Sequence, residues 1–288
     1  MPLLLLVLLA SVVGLVLFVR RLGQRELVNA VSDEAPAWFV ALRFRPGETR
    51  RSVALPMGIR LKWAASANFT FVGEGACHWD RFLLLAGTPR DSRLPVFLDD
   101  HVADAQVVRL RLARPPVMML GFLRLLNLVG LRRMPSGAVE TDPAHTGARA
   151  DVMPTQASVA ELLSCPHDYR PAMVNFFCYR PQALYGEAGG DGAGLSGRRA
   201  YGLYGQVAFT TVYRTGGRLV FFGRVEETLR EAAGGPTAGA WEDIGVMQYT
   251  EPKAILTMEQ VPAYRAALRH RDAGLERTVI IASTPDPD

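Results

Sequence analysis

Tyr201, Tyr204, Tyr264, His270 and Arg271 are the residues of this chain whose types and spacing could do ligand chemistry. Tyr201 and Tyr204 lie three apart, so on a helix they face the same way. His270 and Arg271 end a second predicted helix, one or two turns after Tyr264, where they could bind or protonate an anionic or carbonyl ligand. His270 is the candidate acid or base. The same residues also have an ordinary reading. Positive charge at the carbonyl end of a helix is favoured by the dipole, and buried tyrosines pack as core with their hydroxyls bonded. Trp241 is read as core on those grounds, and Tyr249 can be read so too.

Other constellations lead away from familiar chemistries. Gly192 to Gly197 spells a dinucleotide fingerprint, but a glycine-rich loop separates it from the preceding strand and Glu226 comes too late for the ribose position; a flexible insertion fits better. No lysine follows a glycine loop, as a triphosphate site would need. Asp99, Asp100, His101 and Asp104 point in different directions on a helix and read as a charged, solvated face instead of a metal site. Cys77, Cys165 and Cys178 have no metal spacing and no activating neighbour, and fit a reducing compartment. No metal and no cofactor is expected. The pI near 9.1 comes from arginines spread along the chain, with Lys62 and Lys253 the sole lysines, which argues against a nucleic-acid surface.

These residues must be held by elements that the sequence sets out twice. The chain has 288 residues and 49% hydrophobic content, enough to bury a sizeable core. Trp38 to Pro46 is echoed by Met173 to Pro181, Phe69 to Gly73 by Leu219 to Gly223, Trp79 to Leu85 by Trp241 to Met247, and Val107 to Leu112 by Thr278 to Ser283. Each unit reads strand, helix, strand, strand, helix, strand. In the first, residues 49–67 and 90–103 are the predicted helices, with Pro56 interrupting the earlier one. In the second they are residues 197–215 and 252–272, the latter stopped by Gly274 where a left-handed cap is wanted. The expected class is α+β: two ferredoxin-like repeats closing into one intramolecular barrel, residues 37–115 and 171–285, with helices outside.

The remaining segments point to a membrane. Pro2 to Val19 carries no charge and is long enough, as a helix, to match the hydrocarbon core of a bilayer. Arg20, Arg21 and Arg25 follow it, so the positive-inside rule puts the N-terminus outside and the main body in the cytoplasm, with residues 1–22 as a single-pass anchor. Between the repeats, residues 116–170 comprise an apolar stretch, Val117 to Met134, and an exposed linker. As a helix the stretch has a narrow polar stripe of Gly121, Arg124 and Asn127, the profile of a helix lying on a bilayer or packed under the barrel. Arg20, Arg21, Arg124, Arg132 and Arg133 are the expected membrane-interface residues, with lipid as partner.

The ordered set Val174-Asn175-Phe176, Tyr201, Tyr204-Gly205, Gly216 to Val220, Trp241 with Asp243, Tyr249, Pro262-Ala263-Tyr264 and His270 to Leu275 resembles the family called domain of unknown function 1330. That family belongs to the dimeric α+β barrel superfamily. The resemblance covers roughly residues 171–285 and implies a pocket between sheet and helices, without implying a reaction. The first unit lacks the tyrosine pair and any His-Arg counterpart, and reads as a degenerate copy. The expected function is a membrane-held barrel that binds a small organic ligand or a protein partner. Elsewhere in the superfamily occur cofactor-free and haem-dependent monooxygenases or isomerases, in which His270 would be the acid, base or iron ligand. A third reading is a scaffold whose pocket is filled by its own aromatics.

Overall fold

The computed structural model describes residues 2–26, 36–48, 55, 57–88, 101–130, 134, 152–185 and 194–287, with side chains in the first helix from residue 9 to 25. The fold is mixed α+β. Eight strands, β1 Ala37–Phe44, β2 Ile59–Val72, β3 Arg81–Gly87, β4 Val102–Leu112, β5 Ala172–Tyr179, β6 Arg218–Arg230, β7 Asp243–Gln248 and β8 Leu275–Pro285, form a closed barrel in the order β1-β3-β2-β8-β5-β7-β6-β4. Every pairing is antiparallel. Within β1 to β4, and again within β5 to β8, the neighbours run fourth, first, third, second. The β2·β8 and β4·β6 pairings join the two sets and leave no open edge.

Alternation along the strands sorts side chains to the two faces of the barrel wall. Phe39, Phe82, Phe176 and Phe221 point inward and meet at the centre. The Phe39 ring lies 5.6 Å from Phe82, 5.7 Å from Phe176 and 6.2 Å from Phe221. Trp79 and Trp241 lie in the same inner cluster, and both indoles donate to Thr237, one to its hydroxyl and one to its carbonyl, each at 2.7 Å. The barrel interior is thus filled by its own aromatics.

Among the described residues six α-helices accompany the strands: α1 Pro2–Glu26, α2 Val117–Leu128, α3 Gln156–Ser164, α4 Gly197–Arg214, the short α5 Ala254–Thr257 and α6 Pro262–Gly274. Helices α4 and α6 match the sequence reading of the second unit. The first unit differs. Residues 59–67, expected as helix, belong to β2, because Ile59 and Leu61 begin a period-two pattern and the strand finds partners in both β3 and β8. The helix expected over 90–103 falls mostly outside the described residues, and its end is the start of β4. There Asp104 is buried, accepting from His78 Nε2 at 2.7 Å and the Ala233 amide at 3.0 Å, so it is no solvated face. His101 instead meets Glu48 at 2.9 Å, and Asp99 and Asp100 lie outside the described residues.

Helices α1 and α2 pack antiparallel at two glycines. A Cβ on Gly23 would meet the Val117 carbonyl oxygen at 1.9 Å, and one on Gly121 the Val19 carbonyl oxygen at 1.9 Å. The polar stripe of α2 turns toward the barrel: Asn127 donates to the Tyr213 carbonyl at 2.7 Å and Arg124 to that of Gly216 at 3.5 Å. Asn127 and Arg124 thereby tie α2 to the end of α4 and the turn that follows it. Arg20 and Arg21 are exposed, while Arg132 and Arg133 lie outside the described residues. Among the described residues no helix is long and apolar enough to cross a membrane.

Truncating the ring at the centre of this barrel should be felt by the whole chain. Phe39→Ala is predicted to cost about 3–5 kcal/mol and to lower the unfolding midpoint in one cooperative step. Denaturant unfolding followed by tryptophan fluorescence and far-ultraviolet dichroism checks it; a loss under about 1 kcal/mol would show that the centre is loosely packed.

Candidate functional site

A cavity of about 750 Å³ lies between α4, α6 and the outer face of β5 to β8. Its volume falls in the range of small-molecule sites. The strands supply Asn175, Phe177 and Tyr179 from β5, Leu219 and Phe222 from β6, Asp243 and Met247 from β7, and Thr278 and Ile280 from β8. On β5, β7 and β8 these are residues that alternation turns away from the barrel centre, and on β6 a register shift between Leu219 and Phe221 brings Leu219 and Phe222 to the same outer face. Tyr201, Tyr204, Phe209 and Val212 come from α4, and Tyr264, Leu268 and Arg271 from α6.

Two glycines set how closely the helices can stand. A Cβ on Gly274 would lie 2.5 Å from the Gly197 carbonyl oxygen, and one on Gly197 2.4 Å from the Gly274 carbonyl oxygen. Gly197 also donates to the Arg180 carbonyl at 3.0 Å, and Arg180 to that of Gly274 at 2.9 Å. Gly274 is therefore needed for close approach and is still helical, which corrects its reading as a left-handed cap. Gly197 opens α4 behind the cap residue Ser196, whose hydroxyl accepts from the Arg199 amide. The Gly192–Gly197 run thus ends in helix-to-helix contact; Gly192 and Ala193 lie outside the described residues.

This contact brings the tyrosines together. The Tyr204 and Tyr264 hydroxyls are 2.9 Å apart, and the Tyr201 ring lies 5.3 Å from that of Tyr204. Arg271 shares the face of α6 that carries Tyr264, seven positions earlier and hence two turns away. It is 7% exposed. Its guanidinium donates to the Val152 carbonyl and toward the Met153 sulfur, and the Asp272 carboxylate stands 3.7 Å away. Burial pushes the Tyr201, Tyr204 and Tyr264 hydroxyls above the ordinary phenol range, and the Arg271 charge pulls each part of the way back.

His270 does not line the cavity. Consecutive helical residues point about 100° apart, so Arg271 and its neighbour cannot share one face. The His270 Nδ1 meets the Tyr185 hydroxyl at 2.7 Å, on the side where Tyr185 and the segment after β5 pass. Four of the five expected ligand residues, Tyr201, Tyr204, Tyr264 and Arg271, are brought together. The candidate acid or base stands apart from them.

A second polar group in the cavity wall was not singled out as a site in the sequence. Asp243, 2% exposed, accepts from the Tyr179 hydroxyl at 2.7 Å and from Arg198, whose guanidinium lies 4.7 Å from the centre of the Tyr179 ring. Its other oxygen, Oδ1, is buried with no hydrogen-bond partner. Burial raises the Asp243 carboxyl above the usual carboxylate range, against the lowering effect of the Arg198 and Tyr179 hydrogen bonds. The available signal was strand alternation: Asn175 and Tyr179 share the parity of Met173 and Phe177 on β5, the face that the helices cover. Among the described residues no three His, Cys, Asp or Glu side chains converge as a metal site would need.

No family model matches the chain, and no curated protein matches it. Two solved structures are similar to part of it, one of a protein of unknown function from Rhodopseudomonas palustris and one of the same protein methylated. They are 27% and 29% identical, each with a TM-score of 0.41; the aligned region covers 48% and 47% of this chain and 98% and 95% of theirs.

Proposed function

We propose that this chain is a binding module whose cavity takes a largely apolar organic anion, and that it works at the cytoplasmic face of a membrane, held there by α1. The observation that carries the reading is the buried Arg271 guanidinium, with three tyrosine hydroxyls around it, in the wall of a largely apolar cavity whose other charged groups are the paired Asp243 and Arg198 and the carboxylate of Glu259. A buried cation is costly unless it is paired. The acceptors it has are a carbonyl, a sulfur and a half-exposed carboxylate, which leaves room for an anionic head. The rest of the cavity offers Phe71, Phe177, Phe209, Phe222 and Met247 to an apolar body. The repeated strand order supports reading each half as one ferredoxin-like repeat, with the resemblance of residues 171–285 to the family called domain of unknown function 1330 resting on where its motif residues fall. A haem or acid–base role for His270 finds no support in the cavity, and a filled-pocket scaffold is at odds with its volume.

The reading is tested with a fluorescent fatty acid, dansyl-undecanoic acid, titrated into the full chain. Arg271→Leu is predicted to weaken binding about ten- to a hundredfold, the loss expected for hydrogen bonds to a charged group. His270→Ala should leave it within about twofold, a change too small to represent a lost contact. Equal affinity in wild type and Arg271→Leu would contradict the reading, as would loss on His270→Ala alone.

The raised Asp243 carboxyl gives a separate prediction. A native pKa above the unfolded one means that the folded chain holds the proton more tightly. The stability from this group is therefore present at low pH and lost as pH rises through the raised native value. Asp243→Asn keeps the acceptor for Tyr179 and removes the buried charge. The variant's melting temperature relative to wild type should rise as the pH is raised from the ordinary carboxylate range through the higher native value, measured by thermal unfolding in matched buffers. A difference independent of pH would show that Asp243 titrates as an exposed carboxylate does.

A further inference from the structure

The cavity has a second wall that the ligand reading above does not use. The link into α2 and its first turn contribute Ala113, Pro115 and Met119 to the lining. Ala113 donates to the Phe222 carbonyl at 2.7 Å, which ties this link to β6. In the sheet order β6-β7-β5-β8, β6 lies three strand spacings from β8, about 14 Å. Residues from all four strands line the cavity, so it runs the width of this sheet from the α2 side.

On that side the protein shows water a surface that water does not favour. Met118, Met119 and Phe122 of α2 are exposed, Phe122 by 53%, and so are Leu9, Val12, Val13, Leu15, Val16, Leu17 and Phe18 of α1. Only Val19 and Gly23 are buried among the described side chains of α1. The two helices are locked together at Gly23 and Gly121 and fixed to α4 by Asn127, so the apolar surface is continuous with the cavity wall at Met119. Contiguous apolar surface of this kind marks an interaction site. Arg20, Arg21 and Arg25 stand exposed at the end of α1 that packs on α2, a charge pattern complementary to anionic lipid.

We propose that the occupant of this apolar surface is an anionic lipid bilayer, and that the cavity takes its ligand from the bilayer past α2. The ligand class is then a single-chain amphiphile with an anionic head, carboxylate or phosphate, whose tail lies along the sheet and whose head reaches Arg271. This rests on the reading of the cavity as an anion site. The exposed apolar helices and the apolar lining form one path on which the tail need not enter water, which lowers the cost of transfer.

The test uses the full chain and dansyl-undecanoic acid presented in two ways, dissolved in buffer or preloaded into vesicles of phosphatidylcholine with phosphatidylglycerol. A variant carrying Val13→Asp and Val16→Asp on the exposed face of α1 leaves the cavity untouched. Wild type is expected to sediment with the vesicles and the variant to stay in solution. In buffer the two should bind the probe equally, whereas uptake from vesicles should be at least about tenfold slower for the variant, as expected when the tail must cross water. Uptake from vesicles at the same rate in both proteins would overturn the membrane route while leaving the cavity reading standing. Failure of wild type to sediment with vesicles would overturn it too. Absence of binding even in buffer would sink the cavity reading and this proposal together.

Discussion

Burying the Arg271 guanidinium is the constraint around which the second half of this chain is arranged. A charge held 7% exposed needs acceptors on every side, and here they are a backbone carbonyl, a thioether and one carboxylate at longer range. The arrangement depends on backbone contact between α4 and α6 at Gly197 and Gly274, where no side chain could fit. That contact sets Tyr204 against Tyr264 and turns both toward the arginine. It also explains why the neighbouring histidine points elsewhere, since one helix face cannot hold both.

The two faces of the barrel wall have different roles. Inward-facing side chains from β1, β3, β5 and β6 pack as an aromatic cluster, so the centre of the barrel is taken up by the chain's own rings. Space is found outside the wall, where α4 and α6 stand off the sheet. The cluster is built from both halves, and the β2·β8 and β4·β6 pairings close the ring. The stability of the site therefore depends on residues such as Phe39 that never approach it.

Much of this was legible because the second half follows its local signals closely. Ser196 caps α4, Pro262 opens α6, and β5 alternates Met173, Asn175, Phe177 and Tyr179 onto one face. The reading failed where tertiary pairing overrides local preference. Residues 59–67 read as the end of a helix begun at residue 49, yet Ile59, Leu61 and Trp63 recur every second residue and the edges of β3 and β8 on either side make them β2. Arg124 and Asn127 form a polar stripe that sequence alone assigned to headgroups or to the barrel, and their hydrogen bonds to the carbonyls of Gly216 and Tyr213 could not be read from one chain. Asp243 went unassigned because nothing in a single chain shows that an acidic residue at a strand start will be covered. The joint placement of Tyr264 and Arg271, and the separation of His270 from them, follow from spacings of seven and six residues, whereas which of the two faces meets the sheet needed the actual rotation of the helix.

The most direct measurement is a crystal structure of the chain with a brominated fatty acid, with bromine located by its anomalous scattering. The account predicts carboxylate oxygens about 3 Å from the Arg271 guanidinium, the distance of a charge-assisted hydrogen bond, with the bromine between α4 and the sheet. Bromine on the protein surface alone, or a carboxylate seated at His270, would contradict it.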